Sequence, residues 1–175
     1  MRRLIAMNLS TMAIMGLVVL FLSAVSIQAA SANGKDHHHA DKGMSQHMKE
    51  MYALKDKIPE EYRIMERTPV IPSEKSLQQG KDLFEQSCVV CHGEAGDGKG
   101  PAAGAMPTPP ANFLDKKHSA IYGPGEKYWI IGNGSGKTGM PEFPKIDAIN
   151  RWHLVNYILH LQQEGAAQTK RHGHH

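Results

Sequence analysis

The chain has 175 residues, enough for one domain with flanking segments but not for two full cores. Twenty Lys and Arg against seventeen Asp and Glu give a formal net charge of +3, too balanced for a dedicated nucleic-acid binder. Two cysteines exclude a disulfide framework, a four-cysteine zinc site and a cysteine-held iron–sulfur cluster, and 6% aromatic residues leave few rings to fill a core.

Arg2 and Arg3 open the chain, and no charged residue follows from Leu4 to Gly34. A basic start, an apolar middle densest from Met12 to Ile27, and the small-x-small run Ala30-Ser31-Ala32 predict a secretory signal over residues 1–32, cleaved after Ala32. The alternative is an uncleaved anchor, since roughly 20 apolar residues span a bilayer. Either reading puts the remainder in the periplasm, or on the outer face of the cytoplasmic membrane of a bacterium.

Residues 33–72 form a polar, His- and Met-rich segment with seven basic and seven acidic side chains. A helix is predicted there from about Ala40 to Ile58, closed by Pro59. Thr68-Pro69 and Ile71-Pro72 force extended backbone and read as a linker. The folded domain is expected over residues 73–164, and residues 165–175 read as a polar tail ending in His172, His174 and His175.

Inside the domain, Ser73 can cap a helix running to about Ser87, with Leu77, Gly80, Phe84 and Ser87 on one face. A Gly- and Pro-rich stretch follows from Gly93 to Pro110. A short helix is predicted from Gly125 to about Ile131, then a loop from Gly132 to Pro144. Asp147 can cap the last helix, about Ala148 to Gln163, whose apolar face carries Trp152, Val155 and Leu159. No alternating strand pattern competes, so the class is all-α. Helices joined by long loops suit a chain folded around a large rigid ligand.

The motif that carries chemistry is Cys88-Val89-Val90-Cys91-His92, the C-x-x-C-H haem attachment pattern. Each thiol can add to one haem vinyl group, and the two intervening residues match the vinyl spacing. The histidine that follows is held under the ring, within reach of iron. A thioredoxin-like dithiol needs a βαβ context, which is absent, and a zinc site needs a paired H-x₃₋₅-H that the domain does not supply.

Here the sequence resembles the class I, mitochondrial-type cytochrome c family, in its bacterial mono-haem form. Gly80, Phe84 and Cys88 reproduce that family's Gly-x-x-x-aromatic-x-x-x-Cys spacing, and Leu154 and Tyr157 its Leu-x-x-Tyr. The runs from Gly96 to Ala103 and from Pro110 to Phe113 look like loops of bacterial members, and Gly139-Met140-Pro141 like the distal-ligand loop. The resemblance implies a cytochrome c fold, a small helical domain around one covalent haem c. It also implies a crossing of first and last helices at Gly80, and His92 and Met140 on opposite faces of the iron.

A thioether is a soft ligand that raises haem potential, and Gly139 and Pro141 let the loop present Met140 rigidly. Met106, also before a proline, is the competing ligand, otherwise loop packing. Trp152 or Trp129 could donate to a haem propionate or be core, and Tyr122 and Tyr128 share that ambiguity. His118, His153 and His160 read as solvated or capped. Lys99, Lys116, Lys117 and Lys137 could form a docking face, although nine basic and ten acidic side chains in the domain give no strong steering.

The expected function is one-electron transfer, not catalysis, since an iron with both axial positions filled has no open site. Partners are a membrane oxidoreductase or a periplasmic enzyme; nucleic acid is not expected. One alternative is a haem subunit of a redox enzyme with an open iron site. Another is a copper-handling protein. For that reading His37, His38 and His39 form one donor cluster, and Met44, His47, Met48 and Met51 share a helical face suited to Cu(I). The tail histidines could assist, or be a solvated or engineered tail. The competing reading of the Met face is simple packing on the domain or a partner.

Overall fold

The computed structural model describes residues 45–172. The predicted targeting segment, His37, His38, His39, Met44, His174 and His175 lie outside the described residues. The helices are α1 (Gln46–Lys55), α2 (Glu60–Arg63), α3 (Glu74–Ser87), α4 (Val89–His92), α5 (Lys116–Ser119), α6 (Pro124–Asn133) and α7 (Ala148–His172). Single 3₁₀ turns occupy Ala103–Ala105 and Gly136–Thr138. Among the described residues there is no strand, so the all-α expectation holds, and no helix is long and apolar enough to cross a membrane.

Helix α3 begins where predicted. Ser73 Oγ accepts from the Ser76 N–H at 3.2 Å, satisfying one of the free donors of the first turn. The helix ends at Cys88, whose φ of −116° breaks the regular spiral. Its buried residues Ser76, Gly80 and Phe84 face α7. A Cβ on Gly80 would lie 2.7 Å from Tyr157 Cβ and overlap the His153 carbonyl oxygen, so only hydrogen fits at the crossing. Around it Phe84, Leu154, Val155 and Ile158 form the core. Full burial of such a side chain contributes roughly 1.5–3 kcal/mol.

The start of α7 is also as predicted, with Asp147 Oδ1 accepting from the Ile149 and Asn150 N–H groups at 3.0 Å each. Its end is not. The helix runs past Gln163 to His172 and takes in most of the expected tail. Gly165, expected to open the polar tail, is buried instead: a Cβ there would sit 2.6 Å from Leu114 Cα, so the glycine serves close packing.

The expectation of a linker before the domain is corrected. Helix α1 is shorter than predicted, starting after the Ser45 cap and ending at Lys55, and it packs on the domain. Met51 is 6% exposed and Ile58 1%. Lys55 Nζ meets Glu126 Oε1 at 3.2 Å, and the Tyr122 hydroxyl donates to Met51 O at 2.8 Å. The proline-rich stretch is extended, yet pinned to α7. Thr68 Oγ1 donates to Asn156 Oδ1 at 2.7 Å, and Asn156 Nδ2 donates to Val70 O at 3.0 Å. A buried amide needs such partners, and these backbone carbonyls supply them.

Candidate cofactor site

Cys88 is the hinge between α3 and α4. Its carbonyl accepts from the N–H groups of Cys91 at 3.1 Å and His92 at 2.8 Å, which closes the single turn of α4. The following loop wraps back over that turn. Gly98 N–H donates to His92 O at 2.7 Å, Gly100 N–H to Cys91 O at 3.1 Å, and Ala102 N–H to Val90 O at 2.8 Å. Both thiols and the imidazole therefore come from backbone fixed on both sides.

They border a cavity of about 580 Å³, whose other walls include Phe84, Ile131, Met140 and Phe143. His92 Nδ1 lies 3.0 Å from Ala111 O, and the Phe113 ring stacks on the imidazole at 4.8 Å with a 22° tilt. Burial holds His92 below its ordinary pKa, against the opposing pull of that carbonyl. The ring is thus neutral, with its proton on Nδ1 and its Nε2 lone pair free. That is the state a metal-ligating histidine needs, with the backbone carbonyl as its orienting partner. Cys88 is a buried free thiol, pushed up to about 12 by burial and secondarily by Cys91. A reactive dithiol would be depressed instead, which disfavours thioredoxin-like exchange.

Met140 lines the same cavity. The 3₁₀ turn before it ends at Gly139, whose φ of +84° is left-handed and costs an L residue energy. Ser135 N–H donates to Met140 O at 3.1 Å. Met106 is brought to this cavity too. Its Cε would lie 3.1 Å from a Cβ on Gly139, and Pro107 Cδ 2.8 Å from it. The two methionines predicted as rivals both line the cavity, and Met106 packs beside Gly139 in the loop that carries Met140.

The remaining predicted residues divide. His47 and Met51 of α1 line the cavity, and Met48 is half-buried. The packing reading of the Met face therefore describes Met51. Among the described residues no three His, Cys, Asp or Glu side chains are grouped to hold a metal ion. Trp152 is core, stacked on Tyr128 at 4.1 Å, and neither it nor Trp129 lines the cavity. Tyr122 does line it, with its hydroxyl committed to Met51 O. The histidines expected to be capped have local partners: His118 with Asp115 at 2.7 Å, His153 with Ser76 at 2.8 Å, His160 with Glu164 at 3.3 Å.

Sequence reasoning missed Ala111 and Phe113 as holders of His92, and it missed Lys127. A lysine abutting the apolar run Tyr128 to Ile131 was the available signal. An apolar cavity bordered by two thiols, a neutral imidazole with a free nitrogen and a thioether fits a covalently held haem. Residues 77–162 match the family model described as Cytochrome c. No curated protein matches the chain. A chain of the Kuenenia stuttgartiensis reducing HAO-like protein complex is similar in structure, at 29% identity and a TM-score of 0.48. The likeness covers 56% of this chain and 49% of that one, so this chain spans about half the length of that relative.

Proposed function

We propose that the chain, which carries a cytochrome c domain over residues 77–162, is a mono-haem c-type cytochrome that passes single electrons between redox proteins. The observation that supports this best is the Cys88–His92 segment on the cavity wall, with His92 neutral and its Nδ1 proton engaged by Ala111. Cys88 and Cys91 would hold the haem as thioethers, and His92 and Met140 would be its axial ligands. When bound, the haem supplies a one-electron couple.

The residues divide the work. Ala111 and Phe113 fix the imidazole plane. Phe84, Ile131 and Phe143 exclude water and keep the site apolar, which with a Met/His ligand pair raises the potential. No group is required to move a proton or attack a substrate, so the role is that of a carrier. Partners would be a membrane oxidoreductase or a periplasmic enzyme. Export follows from the Arg2–Ala32 pattern and fits thioether assembly outside the cytoplasmic membrane, in the periplasm or on its outer face.

The test is the visible spectrum and haem stain of the purified protein. Haem retained on a denaturing gel, with a six-coordinate low-spin spectrum, is expected. Met140→Ala should open one axial position, lower the potential and admit small ligands. A parent protein that already binds them would point instead to a redox-enzyme subunit with an open iron.

A further inference from the structure

Two side chains on the cavity wall have hydrogen-bonding capacity left unmet. Lys127 of α6 is 8% exposed, and its Nζ donates to Ser119 O at 3.1 Å and to Tyr122 O. An ammonium has three N–H donors, so one remains. Among the described residues the carboxylate that bears on Lys127 is Glu126, whose charge favours the ammonium but which does not line the cavity. Its Oε2 accepts from the Gly123 N–H, and its buried Oε1 faces Lys55 Nζ at 3.2 Å without a hydrogen bond. Burial pulls Lys127 down to about 8, with the Glu126 charge opposing the fall and the Lys55 charge adding to it. His47 of α1 has a buried Nδ1 with no partner. Both side chains line the cavity. Buried charges in proteins are paired, and buried donors are satisfied.

The other ionisable groups on this wall do not meet the need. Asp115 is engaged by His118 at 2.7 Å, and the His118 ring lies 5.8 Å from that of His47. The Tyr122 hydroxyl is spent on Met51 O. No side chain on this wall supplies that acceptor, and an anionic occupant of the cavity would. Building on the haem reading, whose cofactor bears two propionates, we infer that Lys127 and His47 receive those two carboxylates. The helix before the family-matched region is then part of the cofactor site, and its Met51 and His47 serve haem rather than copper.

The experiment uses the full-length haem-loaded protein, produced with isotope-labelled precursor so that the haem carboxylates carry ¹³C. Infrared spectra are followed against pH. In the parent, the labelled carboxylates stay ionised well below the ordinary carboxylate range. Lys127→Met binds a proton on one labelled carboxylate at least tenfold more tightly, giving an isotope-shifted protonated-carboxyl band, and Lys127→Arg restores the parent. His47→Phe shifts the other carboxylate the same way. Labelled carboxylates that titrate in the ordinary range in the parent, or that ignore Lys127→Met, overturn the assignment. A response to Lys127→Met but none to His47→Phe removes His47 from it. If Lys127→Met fails to mature, the parent titration decides. A parent chain without haem overturns the haem reading, and this assignment with it.

Discussion

On the His92 side of the cavity, loop N–H groups from Gly98, Gly100 and Ala102 grip the backbone of α4, and Ala111 and Phe113 hold the imidazole. On the Met140 side, a three-residue 3₁₀ turn and three positive-φ glycines, Gly134, Gly136 and Gly139, carry the thioether, with backbone bonds at Ser135, Thr138, Gly139 and Phe143 but no hydrogen bond to the side chain itself. The imidazole is aimed by protein alone. The thioether depends on a loop with fewer restraints. Ligand exchange should therefore begin at Met140, and damage to the two sides should read out differently.

The largest effect is expected from Cys88→Ala with Cys91→Ala, which removes both anchors on the better-held side. No haem should remain on a denaturing gel, and cooperative thermal unfolding should be lost, because the apolar cavity has no filling of its own. Gly80→Val comes next. A side chain at the α3–α7 crossing meets a backbone carbonyl that cannot yield, so denaturant unfolding should show a loss of about 1–3 kcal/mol. Gly139→Ala strikes the looser side, at about 1–2 kcal/mol for the left-handed residue. Its signature should be faster binding of external ligands at the iron with His92 ligation retained. If Gly139→Ala disturbed His92 instead, the contrast between the walls would fail.

Met106→Leu keeps volume and should cost less than about 1.5 kcal/mol while leaving the spectrum unchanged. A lost Met signature there would transfer the ligand role from Met140 to Met106. Asp115→Asn is the smallest. The His118 hydrogen bond, aided by backbone N–H groups, holds Asp115 below its ordinary pKa. A depressed carboxylate stabilises the fold above its unfolded pKa, and that stability is lost as pH falls through the folded value. The pair is exposed, so the asparagine variant should differ only slightly in melting temperature at neutral pH, and the difference should vanish in acid.

What could be read from the sequence was local. The Ser73 and Asp147 caps and the glycine-spaced face of α3 are short-range patterns, and each is where it was expected. The parts missed depend on distant partners. Pro69 and Pro72 announce extended backbone but not that Asn156 would tie it down. Gly165 reads as the start of a polar tail until Leu114 is seen against it. Lys127 stands out only as a charge against the apolar run Tyr128 to Ile131, and nothing in the sequence shows that the cavity lies beside it. Asn156 and Lys127 were still legible as anomalies, polar groups on faces otherwise apolar.

The crossing at Gly80 has a consequence for the order of events. Gly80 and His153 meet across about 70 residues, and closing such a loop costs on the order of 4 kcal/mol in chain entropy. Cys88, Cys91, His92 and Met140 all lie inside it. The cavity therefore forms only when the ends of the domain join, and until then both thiols ride on an open chain. Once it closes, Cys88 is 9% exposed. Closure of this loop and filling of the cavity are therefore coupled, and the thiols are most accessible before the ends of the domain join.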